Sequence, residues 1–107
     1  MTRTAYYMRT STHLQNTDRQ DEKVEKGWRL YQDKGISGKV QFADRTMGQK
    51  LLADASNGLI DEVKVIHLDR LGRNTEDVLK TIRTFHEYSV SIHIIKQGIH
   101  TLVDGEE

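Results

Sequence analysis

Four short runs of apolar and aromatic residues, Thr4 to Met8, Trp28 to Gln32, Val63 to Leu68 and Ser91 to Lys96, recur along the chain with helix-compatible stretches between them. Each run has strand length, and each stretch carries a helix signal. Thr17-Asp18-Arg19-Gln20 has the capping-box pattern of a helix from about Asp18 to Lys26, and Gly27 is placed to end it in the left-handed conformation. Met47, Leu51, Leu52 and Ala55 share a helical face that stops at Gly58, while Thr75 is placed to cap a helix carrying Val78, Leu79, Ile82 and Phe85. Strands that alternate with helices in this way pair in parallel, because a helical crossover returns the chain to the same end of the sheet. The expected fold is therefore α/β, a mostly parallel sheet of four to five strands with helices on both faces. Trp28 and Leu30 are expected in the core.

Composition narrows the chemistry. A chain of 107 residues is expected to form one domain, residues 1–107, able to bury about two thirds of its unfolded surface. It holds no cysteine, which excludes disulfides, a thiolate metal site and a cysteine nucleophile. There is no stretch of eighteen apolar residues and no N-terminal apolar stretch long enough for a signal peptide, so a soluble cytoplasmic protein without a membrane partner is expected. Histidines 13, 67, 86, 93 and 100 show no HExxH or paired-ligand spacing, and no metal or other cofactor is expected. Gly35 to Lys39 has the wrong spacing for a Walker loop, and no serine or threonine follows the lysine, which argues against a nucleotide hydrolase.

Two segments carry the reactive side chains. Tyr7-Met8-Arg9-Thr10-Ser11-Thr12-His13-Leu14-Gln15 follows the first strand, and Leu68-Asp69-Arg70-Leu71-Gly72-Arg73-Asn74 follows the third. A serine hydroxyl needs a base or a strong local field to attack. Arginine stays charged and offers a planar fork that fits phosphate oxygens. Ser11 alone would more simply start a turn or cap a helix. Arg70 and Arg73, however, stand at the start of a helix, where cations oppose the macrodipole, and a bound phosphate would reconcile the two. In an open parallel sheet the binding crevice lies at the carboxyl ends of the strands, so both segments share one crevice if strands one and three are neighbours. Between them, residues 33–42 contain Gly35, Ser37 and Gly38 with little periodicity, and form an expected mobile loop leading to Asp44 and Arg45. Arg45 beside Asp44 has a simple alternative as half of a surface ion pair.

These two segments, with Gln20 and Asp44-Arg45, resemble the catalytic domain of the serine recombinases, the resolvase and invertase family, from about Tyr6 to Thr101. The resemblance implies site-specific recombination of double-stranded DNA without nucleotide or essential metal. Ser11 would be the nucleophile that joins a DNA 5′ phosphate, with Arg9, Arg45, Arg70 and Arg73 gathered around the phosphate. Asp69 would orient an arginine or take part in proton transfer. Tyr7 aligns with the family's active-site tyrosine, Gln15 and Gln20 would order the nucleophile loop, and Ser37 belongs to an active-site loop. A homodimer and a synaptic homotetramer are the implied assemblies of the full-length protein.

The chain departs from that family in three places. It is a few residues shorter between Gln20 and Asp33, it lacks the proline often found after Arg45, and it stops at Glu107, near where family members begin a long dimerisation helix leading to a DNA-binding module. Sixteen basic and sixteen acidic residues cancel, so this segment alone is expected to bind DNA weakly. Two other readings stand beside recombination: an idle domain of the same fold acting in subunit contacts, and a metal-independent phosphatase or phosphate-binding domain.

Overall fold

The structure, a computed structural model, describes residues 3–10 and 23–101. Ser11, Gln15, Gln20 and most of the helix expected from Asp18 lie outside the described residues. The described end of that helix, residues 23–26, is not helical and runs through a turn into Gly27, whose φ of +99° is the expected left-handed value.

Five strands form one sheet: β1 (Thr4–Thr10), β2 (Arg29–Lys34), β3 (Glu62–Val65), β4 (Ser91–Ile94) and β5 (Ile99–Thr101). Their spatial order is β2-β1-β3-β4-β5, with all pairings parallel except that of β5 with β4. The winding thus reverses at β1. Strands one and three are neighbours, as the shared-crevice argument requires. Two helices connect the later strands, α1 (Thr46–Ser56) and α2 (Thr75–Glu87), each preceded by a 3-10 turn, Phe42–Asp44 and Leu68–Leu71. Both crossovers run in the same direction across the sheet, and right-handed connection therefore places both helices on one face.

That face holds the core. Ala5, Tyr7, Tyr31, Val63, Val65, Ile92 and Ile94 alternate along the strands and pack against Leu51, Ala55, Val78 and Phe85 of the helices. Phe42 is the hinge pin of the cluster, edge-on to Tyr7 at 4.9 Å and to Phe85 at 6.0 Å between ring centroids. Polar ties fix the docking of α1 on β2, where Tyr31 Oη donates to Asp54 Oδ2 at 2.6 Å. Burial and that bond raise the Tyr31 pKa.

Several expectations need correction. Leu30 is exposed, because it occupies the alternate position from buried Tyr31 on β2, while Trp28 is half-buried and stacks on Tyr6. Leu79 is exposed as well, since it stands beside rather than within the stripe formed by Val78 and Phe85. The cap of α2 is Asn74 rather than Thr75: its side chain accepts from the Asp77 N–H at 2.8 Å. The third strand ends at Val65 because residues 68–71 tighten into the 3-10 turn, and the fourth ends at Ile94 because the chain turns there into β5.

Candidate active site

The carboxyl ends of β1, β2 and β3 bring four of the expected residues into one hydrogen-bonded cluster. Tyr7 and Arg9 point from β1 to the helix-bearing face, and Arg9 is paired in register with Asp33 of β2. Arg45 comes from the residue preceding α1, and Arg70 from the 3-10 turn after β3. Arg45 is not a surface half of an ion pair; it is fully buried. Its Nε donates to the Val40 carbonyl at 3.0 Å, and its Nη1 donates to the Arg70 carbonyl at 2.8 Å and to Tyr7 Oη at 3.3 Å. Arg70, also buried, donates from Nη1 to the Arg9 carbonyl at 3.3 Å. Arg9 in turn donates from Nη1 to the Ile36 carbonyl at 2.8 Å.

Asp33 anchors this network, and no motif in the sequence singled it out. It is buried, accepts from Tyr7 Oη at 2.7 Å, and also accepts from the backbone N–H groups of Met47 at 2.8 Å and Gly48 at 3.2 Å. A carboxylate from a neighbouring strand therefore caps α1, whose first N–H groups would otherwise lack partners. Gly48 is required at this contact, since a Cβ there would collide with the Phe42 carbonyl. The only signal in the sequence was the place of Asp33 at the end of a strand-like run.

The electrostatics are dominated by three clustered guanidinium groups. Burial, followed by the charges of Arg45 and Arg70, lowers the Arg9 pKa. Burial raises the pKa of Tyr7, with the Arg45 contact opposing the rise and the Asp33 contact adding to it. Among the described residues two buried guanidinium nitrogens, Arg9 Nε and Arg45 Nη2, have no hydrogen-bond partner. A buried donor left unpaired costs about 1–3 kcal/mol, which an anion with several acceptor oxygens would offset.

The remaining expected residues that the structure describes lie at the margin. Arg73 is exposed, with its backbone N–H held by Asp77 Oδ2 at 2.9 Å. Gly72 lets this backbone approach α2, because a Cβ there would lie 2.6 Å from the Val78 nitrogen. Asp69 is exposed and stands 3.9 Å from Arg70 Nε, a long ion pair with little orienting force. Ser37 is exposed, and its hydroxyl accepts from the Lys39 N–H at 3.1 Å, consistent with a loop role. An open groove of about 630 Å³ beside the cluster is lined by Asp69 and Arg73 together with Leu68, Val78, Leu79 and Ile82, but not by Arg9, Arg45 or Arg70. Among the described residues no helix is long and apolar enough to cross a membrane.

The fold is an α/β domain whose winding reverses at β1, with an arginine cluster where that strand ends, the place at which open α/β sheets bind their ligands. The family model for the resolvase N-terminal domain matches residues 4–106, and the chain belongs to that family. It is 34% identical over 104 residues to the transposon Tn2501 resolvase of Escherichia coli, covering 92% of this chain and 52% of that protein. It is 32% identical over 103 residues to the serine recombinase PinR of Escherichia coli strain K12, again covering 92% and 52%. The chain thus spans about half the length of the curated relatives it matches. Among solved structures, the N-terminal catalytic domain of TP901-1 integrase superposes with a TM-score of 0.71 at 27% identity, covering 92% of this chain and 81% of that one.

Proposed function

We propose that this domain carries out the strand-breaking and rejoining chemistry of site-specific DNA recombination. Ser11 attacks the scissile phosphodiester in line, forming a bond to the 5′ phosphate and releasing a 3′ hydroxyl; attack by a 3′ hydroxyl of the exchanged strand then releases Ser11 and reseals the DNA. Ser11 follows directly on Thr10, the last residue of β1. The observation that carries this reading is the cluster of Arg9, Arg45 and Arg70 at that strand end, with two buried donors that have no partner among the described residues. Donors fixed in advance where charge develops are the main catalytic device available to such a site. Arg73 supplies a further cation at the exposed edge, and Asp69, 3.9 Å from Arg70 Nε, is the candidate for proton transfer. Gln15 and Gln20 order the nucleophile loop. The partners of this reading are double-stranded DNA, a second subunit to form the dimer, and a second dimer to form the synaptic tetramer.

Covalent trapping tests it. The protein at its natural length is incubated with a nicked duplex from the DNA flanking its gene, and the adduct is mapped by peptide mass. A 5′ phosphate on Ser11 that disappears in Ser11→Ala is the expected result. Turnover of a small phosphate ester without any DNA adduct would instead favour the phosphatase reading. Within the cluster, Arg70→Lys is expected to lower the cleavage rate about a hundredfold to a thousandfold, because lysine cannot supply the fork. Near-normal cleavage by that variant would remove Arg70 from the site.

A further inference from the structure

The sheet has a second cluster of ligating side chains, on the face opposite the core and away from the arginines. Glu62 of β3, His93 of β4 and His100 of β5 each bring a ligating atom into one small region, with those atoms all within 4.8 Å of one another. The register explains the meeting: His93 pairs with His100 across the antiparallel β4-β5 pair and with Lys64 across the parallel β3-β4 pair, and Glu62 lies two residues before Lys64 on the same face of β3. Glu62 and His93 are half-buried, and His100 is exposed.

This cluster already holds a cation. Lys64 Nζ lies 2.7 Å from His93 Nδ1 and 3.5 Å from Glu62 Oε1. An ammonium has only donors to offer, so His93 Nδ1 faces it with a lone pair, which is the form of imidazole that ligates metals. The same ammonium lies 5.3 Å from the centroid of the Trp28 ring, a second resting place for the charge.

We propose that Glu62, His93 and His100 form a binding site for a divalent ion of the zinc class, with Lys64 as the cation that competes for it. Two imidazoles and one carboxylate are a ligand set suited to zinc, and they leave a fourth position for water. Zinc ligand atoms at 2.0–2.1 Å from the ion stand about 3.3 Å apart in a tetrahedron, so closure from the present spacing needs only side-chain rotation. His93 and His100 now stack at 3.8 Å between ring centroids, and the exposed His100 ring is the one free to turn its lone pair toward the ion. Lys64 withdraws to the Trp28 face as the ion enters. The bound ion would link β3 to β5, a three-residue strand that among the described residues pairs only with β4.

The test is calorimetric titration of the protein as encoded with zinc chloride, alongside His100→Ala, His93→Ala and Lys64→Met, each first shown to be folded by circular dichroism. One zinc per chain is expected for this site, abolished by either histidine substitution and accompanied by a rise in Tm. Lys64→Met is expected to bind zinc about tenfold more tightly, the size of effect that groups next to metal ligands commonly carry. His100 is exposed and its removal leaves the core untouched, so that variant decides the matter even if His93→Ala fails to fold. Absence of zinc binding, binding that survives His100→Ala, or a Lys64→Met affinity equal to wild type would each overturn the proposal.

Discussion

The two described helices begin in different ways. α2 is capped from within its own segment: Asn74 accepts from Asp77, and the Asp77 carboxylate accepts from the Arg73 N–H and from the Phe42 N–H at 3.0 Å. α1 is capped from another element, since the Arg45 side chain makes no cap bond and Asp33 of β2 takes the Met47 and Gly48 N–H groups. A cap of the first kind mainly secures a helix. The second kind ties a helix to whatever else the capping residue holds. Here that is the Tyr7 phenol and, through it, Arg45. The orientation of the arginine cluster is thereby coupled to the docking of α1 through side chains of the cluster itself, whereas α2 meets it through the backbone of the turn that carries Arg70 and through Phe42, whose N–H Asp77 holds and whose ring packs between Tyr7 and Phe85.

This difference is open to direct attack. Asp33→Ala removes three hydrogen bonds to a buried carboxylate at once and is expected to destabilise the fold by about 3 kcal/mol, measured by urea denaturation. Its DNA cleavage rate, assayed where the variant remains folded, is expected to fall as well. Tyr7→Phe keeps the ring in the core but cuts the link between Asp33 and Arg45, with an expected loss of about 1–2 kcal/mol at neutral pH.

The same variant has a signature in alkali. The folded-state pKa of Tyr7 lies above its ordinary value of 10.0, so in alkali the unfolded chain releases this proton before the folded one does. Stability is therefore expected to fall as pH rises above about 10 and on toward the folded-state pKa, and Tyr7→Phe should remove that share of the slope while Tyr31 keeps its own. Identical alkaline slopes in the two proteins would show that Tyr7 is not held as described. The smallest effect is expected from Asn74→Ala, about 1 kcal/mol with cleavage nearly unchanged. If Asn74→Ala lowered cleavage as much as Asp33→Ala, the contrast between the helices would collapse.

How legible each part was follows from how local its physics is. The helices around Leu51 and Phe85, the left-handed Gly27 and the cap of α2 depend on neighbours in the chain, and periodicity or residue type exposes them, with the cap displaced by one residue. Leu30 and Leu79 show the limit: an apolar residue does not announce which side of a strand or helix the core will occupy. Arg9, Arg70 and Arg73 were visible because they stand in compact motifs where strands end. Asp33 was not, because its partners at positions 7, 47 and 48 share no spacing rule. Histidines 93 and 100 with Glu62 were hidden for the same reason, since ligands on three separate strands leave no pattern such as HExxH.

By itself, the sequence determined the alternation of strands and helices, and with it a parallel sheet and reactive groups at strand ends. Those outcomes rest on side-chain periodicity and backbone handedness, which act over a few residues at a time. Only the tertiary structure decided that Arg45 is buried rather than paired at the surface, that Asp33 is the hub of the cluster, and that Glu62 meets two histidines on the opposite face. Each of these depends on strand order and register, which arise when distant segments pack together.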